Sequence, residues 1–156
     1  MTFLNSSSKR RRAFLAVIII IILAGAIFAL LKNRAGIKTP DTRRQADIDK
    51  IYAALVLYYK NNGYLPVTSA YGENNTGGWD YSSQGQFLPF LQTAKYLVSV
   101  PLDPLNNGTG DVFYGGSGYS YAYYCYADEN SLSLGLKLEN GNIFWKADHE
   151  KGFKCK

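Results

Sequence analysis

The sequence predicts an α+β protein in which an N-terminal transmembrane helix precedes an amphipathic helix packed on a small antiparallel β-sheet. Three observations predict this class: an unbroken apolar run near the N-terminus, helical spacing of apolar residues after residue 41, and a period of two after residue 119. The predicted organisation is a basic leader (1–12), a membrane span (13–31), a linker (32–40) and one globular domain (41–156).

The apolar run, Ala13 to Leu31, has the length of one bilayer crossing. At about 1.5 Å per residue it covers roughly 28 Å, close to the thickness of the hydrocarbon core. A buried core helix would need a larger soluble partner around it. The run is longer than the apolar region of a typical cleaved signal, although Ala24-Gly25-Ala26 is an A-x-A-like site within it. Cleavage of a secretory signal therefore remains an alternative to a permanent anchor.

Basic residues concentrate at the flanks of this run. Residues 1–38 hold seven of the 17 Lys and Arg and no acidic residue, which leaves a net charge of −2 on the rest of the chain. A nucleic-acid-binding domain would carry its positive charge on its own surface, so we expect membrane lipid and no nucleic acid as a partner. Four basic residues precede the run and three follow it. This bias favours a single-pass protein of the cytoplasmic (inner) membrane with its N-terminus inside and its domain extracytoplasmic.

The two cysteines, Cys125 and Cys155, both lie in the C-terminal third, and no histidine stands at metal-ligand spacing from them. In an oxidising compartment such a pair favours a disulfide over a zinc site. Two free buried thiols are the alternative.

The amphipathic helix is predicted to begin at Asp41 or Thr42, which can cap it after the break that Pro40 imposes, and to end at Asn61-Asn62-Gly63. Its apolar stripe comprises Ile48, Ile51, Leu55 and Tyr58, widened by Tyr52, Val56 and Tyr59. The charged residues that fall off the stripe are Asp47, Asp49, Lys50 and Lys60. The stripe is the largest apolar partner available to a sheet.

Beyond this helix the pattern predicts a loop, a shorter helix and three strands. The loop is 66–86, the helix runs from Phe87 to Leu97 and the strands are 119–126, 131–138 and 143–146. Short turns at 128–130 and 139–142 join the strands, so neighbouring strands must pair antiparallel.

The order of these elements resembles the pilin-like fold of type IV pilins and type II secretion pseudopilins. The segment DTRRQADIDKIYAALVLYYKNNGYLP (41–66) resembles the helix of major pseudopilins and its exit, with matches at Ile51, Ala54, Leu55, Tyr58, Tyr59, Gly63, Tyr64 and Pro66. The run from Tyr96-Leu97 to Pro101-Leu102-Asp103-Pro104 is similar to the stretch that precedes the sheet in that family, and segments 119–121 and 131–139 match its strands in pattern.

The resemblance implies a structural subunit without enzymatic turnover, which assembles with other pilin-like or secretion-system subunits. Prepilins carry a basic leader, then Gly or Ala, then Phe, so Ala13 and Phe14 form the candidate processing site. In the family a Glu at the fifth mature position neutralises the amine of the neighbouring subunit, whereas this chain has Ile18 there. Two hypotheses follow: a pseudopilin or minor-pilin-like subunit, or a membrane-tethered extracytoplasmic binding domain that does not polymerise.

Little in the sequence points to catalysis. His149 is the single histidine, it lies in a polar segment, and no G-x-S-x-G motif accompanies it. Gly115-Gly116-Ser117-Gly118 lacks the Gly-Lys-Ser/Thr ending of a phosphate loop and predicts a turn. We therefore expect no enzyme activity, no cofactor and no small-molecule substrate.

The turn-rich connector offers oxygen atoms that could bind Ca²⁺, from Asp103, Asn106, Asn107 and Asp111. Their spacing does not match an EF-hand loop. A plain Asx-rich turn is the preferred interpretation.

Thirteen tyrosines occur, all from Tyr52 onward, and five of them crowd one predicted strand on both of its faces: Tyr119, Tyr121, Tyr123, Tyr124 and Tyr126. Tyrosine combines an apolar body with a polar tip and is enriched at contact surfaces. These five residues are the candidate contact surface for a protein or a glycan. The alternative is that both faces of the strand are covered and the rings are core.

Overall fold

The computed structural model describes residues 40–68 and 78–156, all within the unit Thr39–Lys156. Its elements are α1 (Pro40–Asn62), β1 (Asp80–Tyr81), α2 (Pro89–Thr93), β2 (Tyr121–Tyr126), β3 (Ser131–Lys137) and β4 (Ile143–Lys151). The strands form one antiparallel sheet in the order β1-β2-β3-β4. The α+β class, with a helix and an antiparallel sheet, is therefore confirmed.

The predicted leader and span, the linker up to Thr39, and the processing site at Ala13 and Phe14 lie outside the described residues. Within 40–68 and 78–156, no helix combines the length and the apolar character needed to cross a bilayer.

Helix α1 begins one residue before the predicted start because Pro40, which lacks an N–H, suits the first helical position. It ends as predicted: Gly63 adopts φ +75° and its N–H donates to the carbonyl oxygen of Tyr59 (2.7 Å). Its buried apolar residues are Ile48, Ile51, Ala54, Leu55 and Tyr58. They share one core with the inward leucines of β3, which are Leu132, Leu134 and Leu136.

Two elements differ from the prediction because long-range contacts decide them. Strand β1 lies inside the segment predicted as a loop, where Tyr81 pairs with Ala122 of the sheet. Helix α2 is only one turn long, because Leu88 (φ +45°) and Lys95 (φ +60°) turn the chain before and after it. The turn at Lys95 brings the ring of Tyr96 to 5.3 Å from that of Tyr58.

Strand β4 also departs from the prediction, since it continues five residues past Lys146. It does so through a β-bulge in which Asp148 and His149 oppose the single residue Ser133. His149 has φ +47°, and its N–H donates to Oγ of Ser133 (3.0 Å). A bulge breaks the alternation of side chains, which is why the period-two pattern did not reveal this half of the strand.

A buried ion pair fastens the first half of α1 to the connector before the sheet. Arg44 and Asp103 are both buried, and the Nε of Arg44 donates to Oδ2 of Asp103 (2.7 Å). Nη1 of Arg44 donates to Oδ1 of Asp41 (2.7 Å), and the guanidinium lies over the ring of Tyr119, 4.5 Å from its centroid. Burial by itself would lower the pKa of Arg44, but the hydrogen bonds to Asp103 and Asp41 raise it above its ordinary value.

Asp47 falls off the apolar stripe of α1 and is nevertheless buried. Its relative exposure is 7 %, and it accepts a hydrogen bond from the phenol of Tyr121 (3.3 Å). The buried face of α1 is therefore polar near the N-terminus of the helix, because the sheet supplies a hydroxyl group that donates to Asp47 there.

Replacing Arg44 should destabilise the protein strongly. The Arg44→Ala change leaves the buried carboxylate of Asp103 without its cation, which typically costs about 3–5 kcal/mol. The matched control is Arg43→Ala, because the side chain of Arg43 is 62 % exposed and its pairing with Asp47 is worth less than about 1 kcal/mol. Urea unfolding of the full-length protein in detergent micelles measures both. Equal costs for the two variants would contradict a structural role for the buried pair.

The C-terminal tail is tied to the core by a disulfide, as predicted. Cys125 of β2 and Cys155 are bonded, with their Cα atoms 5.6 Å apart. The tail also pairs with the segment after α1: the N–H of Leu65 donates to the carbonyl oxygen of Lys154 (2.8 Å), and the N–H of Lys156 donates to that of Leu65 (2.9 Å). The tail thus closes the core between the exit of α1 and the sheet.

Removing this disulfide should lower the free energy of unfolding by about 3–4 kcal/mol, because the bond closes a loop with a sequence separation of 30 residues. The double variant Cys125→Ser/Cys155→Ser, unfolded in urea beside the parent with and without reductant, measures this cost. The parent should respond to reductant and the double variant should not. A reductant effect of equal size on both proteins would show that the disulfide is not its cause.

Candidate functional site

The five tyrosines predicted as a contact surface are divided among three environments. Tyr121 and Tyr123 point to the α1 side of the sheet and are fully buried. The phenol of Tyr123 donates to the carbonyl oxygen of Pro66 (2.7 Å). Burial raises the pKa of Tyr121, and the nearby carboxylate of Asp47 raises it further. These two tyrosines belong to the core, so any contact surface must be built from the other three.

Tyr124 and Tyr126 lie on the opposite side of the sheet, where an aromatic layer covers it. We call this layer the outer aromatic face; its rings belong to Trp79, Tyr81, Phe113, Tyr114, Tyr124, Tyr126 and Trp145. Trp79 is at its centre, with its ring centroid 5.3 Å from that of Tyr124 and 5.8 Å from those of Phe113 and Trp145. Both faces of the sheet are therefore covered by side chains.

The outer aromatic face is buried at its centre and open at its margin. Tyr81 is fully buried, whereas Tyr114 is 66 % exposed and Tyr124, Tyr126 and Trp145 are half-buried. The open margin is the surface that a partner could contact, because amphipathic rings tolerate both water and an apolar neighbour.

Glycine at position 135 makes room for Trp145. A Cβ atom at this position would lie 2.5 Å from Cε3 of the indole, closer than real Cβ contacts. The indole therefore lies directly against the backbone of β3.

Charged residues border one edge of the outer aromatic face. The ring of His149 stacks on that of Tyr126, with centroids 4.3 Å apart. Oε2 of Glu129 is 3.0 Å from Nζ of Lys151 and 3.1 Å from Nδ1 of His149. The hydrogen bond from Lys151, and then that with His149, lower the pKa of Glu129. Because these groups are exposed, they offer polar contacts beside the rings.

Tyr119 lies apart from the other four tyrosines. It precedes β2, which begins at Tyr121, and its half-buried ring lies under the guanidinium of Arg44. The backbone of Tyr119 pairs with the connector instead of with the sheet, because the carbonyl oxygen of Tyr119 accepts a hydrogen bond from the N–H of Gly108 (3.0 Å).

The four residues considered as candidate Ca²⁺ ligands each have a separate hydrogen-bond partner within the protein. Asp103 accepts from Arg44, Asn106 from Ser82, Asn107 from the N–H of Tyr119 and Asp111 from the phenol of Tyr81. Among the residues that the structure describes, no group of three or more acidic, histidine or cysteine side chains is arranged to hold a metal ion. The Asx-rich connector is built as a network of turns.

Five rings of the outer aromatic face were not predicted as part of a contact surface: Trp79, Tyr81, Phe113, Tyr114 and Trp145. The only local signal is the aromatic density around the glycine-rich turn and the single Gly135 within a leucine-rich strand. A glycine inside a strand often marks the close approach of another group.

Comparison of the chain with protein-family models, with curated proteins and with solved structures gives no match.

Filling the space at Gly135 should disrupt the outer aromatic face. We expect Gly135→Ala to lower the free energy of unfolding by about 1–3 kcal/mol, because the added methyl group displaces Trp145. The control is the same change in a Trp145→Leu background, where most of this cost should disappear. Urea unfolding and indole fluorescence of the four proteins measure the coupling. Equal costs in the two backgrounds would mean that Trp145 is not the obstacle.

Proposed function

We propose that this chain is a pseudopilin or minor-pilin-like structural subunit of a type II secretion or type IV pilus-like system. It is anchored by residues 13–31 in the cytoplasmic membrane, and its domain lies outside. Its partners are lipid and other pilin-like or secretion-system subunits, and it works by assembly rather than by turnover.

The observation that carries this proposal is the arrangement of α1. A single 23-residue helix lies against a sheet of sequentially connected antiparallel strands, and the C-terminal tail is tied back by the disulfide. This helix directly follows the predicted span and its linker in the sequence. The same order of elements underlies the resemblance of residues 41–140 to pseudopilins.

A second candidate, a tethered binding domain that does not polymerise, is favoured by one feature of the sequence. Ile18 occupies the position where family members carry the Glu that pairs with a neighbouring amine. The half-exposed margin of the outer aromatic face would serve such a domain as its binding surface.

The state of the N-terminus separates these candidates. N-terminal mass spectrometry of the protein purified from its own membrane should find Phe14 as the first residue if the subunit is processed for assembly. An intact Met1 would favour the tethered domain.

A Glu introduced at Ile18 should be accepted in an assembling subunit. In a filament the carboxylate meets an amine of the neighbouring subunit, so Ile18→Glu should keep or increase the crosslinked ladder formed with pilin-like partners. The matched control is Ile22→Glu, one helical turn deeper in the run, where the carboxylate has no partner in either candidate and should impair insertion by a few kcal/mol.

Membrane yield and crosslinking of parent, Ile18→Glu and Ile22→Glu proteins are measured together. Equal loss of membrane yield in both variants, with no ladder in the parent, would contradict the assembling subunit and leave the tethered domain.

A further inference from the structure

The end of the domain where α1 begins exposes apolar side chains. Leu102 and Leu105 are 44 % and 55 % exposed, and Pro104 between them in the chain is exposed as well. Exposed leucines are common singly, but here two lie within one short connector.

The connector is held so that these leucines cannot turn inward. Asp103, between them, occupies the buried position and receives the Nε–H of Arg44 (2.7 Å). Its Oδ1 also accepts from the N–H of Leu105 (2.9 Å). Because the ion pair is buried, rotating Leu102 or Leu105 into the core would require breaking it.

This same end is joined to the predicted membrane span. In the proposed function the span ends at Leu31, and the eight residues from Lys32 to Thr39 lead into α1. Fully extended, eight residues reach about 28 Å at most. Lys32, Arg34 and Lys38 make this tether basic.

We propose that this end of the domain, with Leu102 and Leu105 foremost, rests on the surface of the bilayer that anchors the chain. The inference depends on the proposed membrane attachment and adds to it the face that the domain turns to the lipid. Apolar side chains enter the interfacial region of a bilayer, and neighbouring basic residues are attracted to anionic headgroups. Lipid is therefore the partner that we expect Leu102 and Leu105 to contact, since the neighbouring tether is short and basic.

Val98 provides a control position within the same domain. Val98 is 96 % exposed, but it follows Tyr96, whose phenol accepts a hydrogen bond from Nδ2 of Asn61 (3.0 Å) at the far end of α1. Seventeen residues of helix separate Arg44 from Asn61, which corresponds to about 26 Å. An apolar side chain at Val98 should therefore lie well above the lipid that Leu105 contacts.

The test places the photoreactive residue p-benzoylphenylalanine at Leu105 in one full-length protein and at Val98 in another. Both proteins are reconstituted in vesicles of phosphatidylethanolamine and phosphatidylglycerol and are irradiated. Because both positions are exposed, the core is preserved in each. Mass spectrometry should find lipid adducts at position 105 in roughly tenfold excess over position 98.

Alkaline extraction of the same vesicles tests the membrane attachment separately from the contact between position 105 and lipid. Release of the protein would overturn the membrane attachment and this inference together. Retention of the protein with similar adducts at both positions, or with no adduct at position 105, would overturn this inference alone. A crosslinked dimer through position 105 would also overturn it, because the connector would then be an interface between two copies of the chain.

Discussion

The buried pair of Arg44 and Asp103 is the constraint on which the arrangement of the domain depends. The two residues are 59 positions apart, and their contact fixes the start of α1 against the connector that leads into the sheet. Removing two charges from water is costly, and the cost is offset only when the remaining donors and acceptors are also satisfied. Asp41 and the ring of Tyr119 complete the surroundings of the guanidinium. One side chain therefore joins three segments of the chain.

The sheet is covered by side chains on both of its faces. Helix α1 covers the side of Tyr121 and Tyr123, and the outer aromatic face covers the side of Tyr124. A domain of this size has little volume in which to bury apolar surface. Aromatic rings bury a large area each, so placing them on both sides of the sheet increases the apolar area that is buried. The close approach of Trp145 to Gly135 is part of the same packing.

The functional consequence is a domain whose surfaces are suited to contact. Its two ends differ: the exposed leucines of the connector lie toward the start of α1, whereas the other end is closed by the disulfide-bonded tail. One edge of the outer aromatic face lies beside exposed charged residues such as Glu129 and Lys151. The two surfaces are separate, and under the proposed function one would contact lipid and the other a protein partner.

The sequence by itself determined the elements whose signals are local. The stripe of α1, the stop at Gly63, the alternation of β2 and β3 and the cysteine pair could all be predicted from spacing and composition. The tertiary structure alone decided the burial of Asp47, the ends of α2, the bulge at His149 and the position of Tyr119 outside β2. Each of these depends on a partner distant in sequence. Periodicity reports which side of an element is apolar, but only three-dimensional packing supplies the hydrogen-bond donor, the ring or the ion that makes a polar or strained position stable.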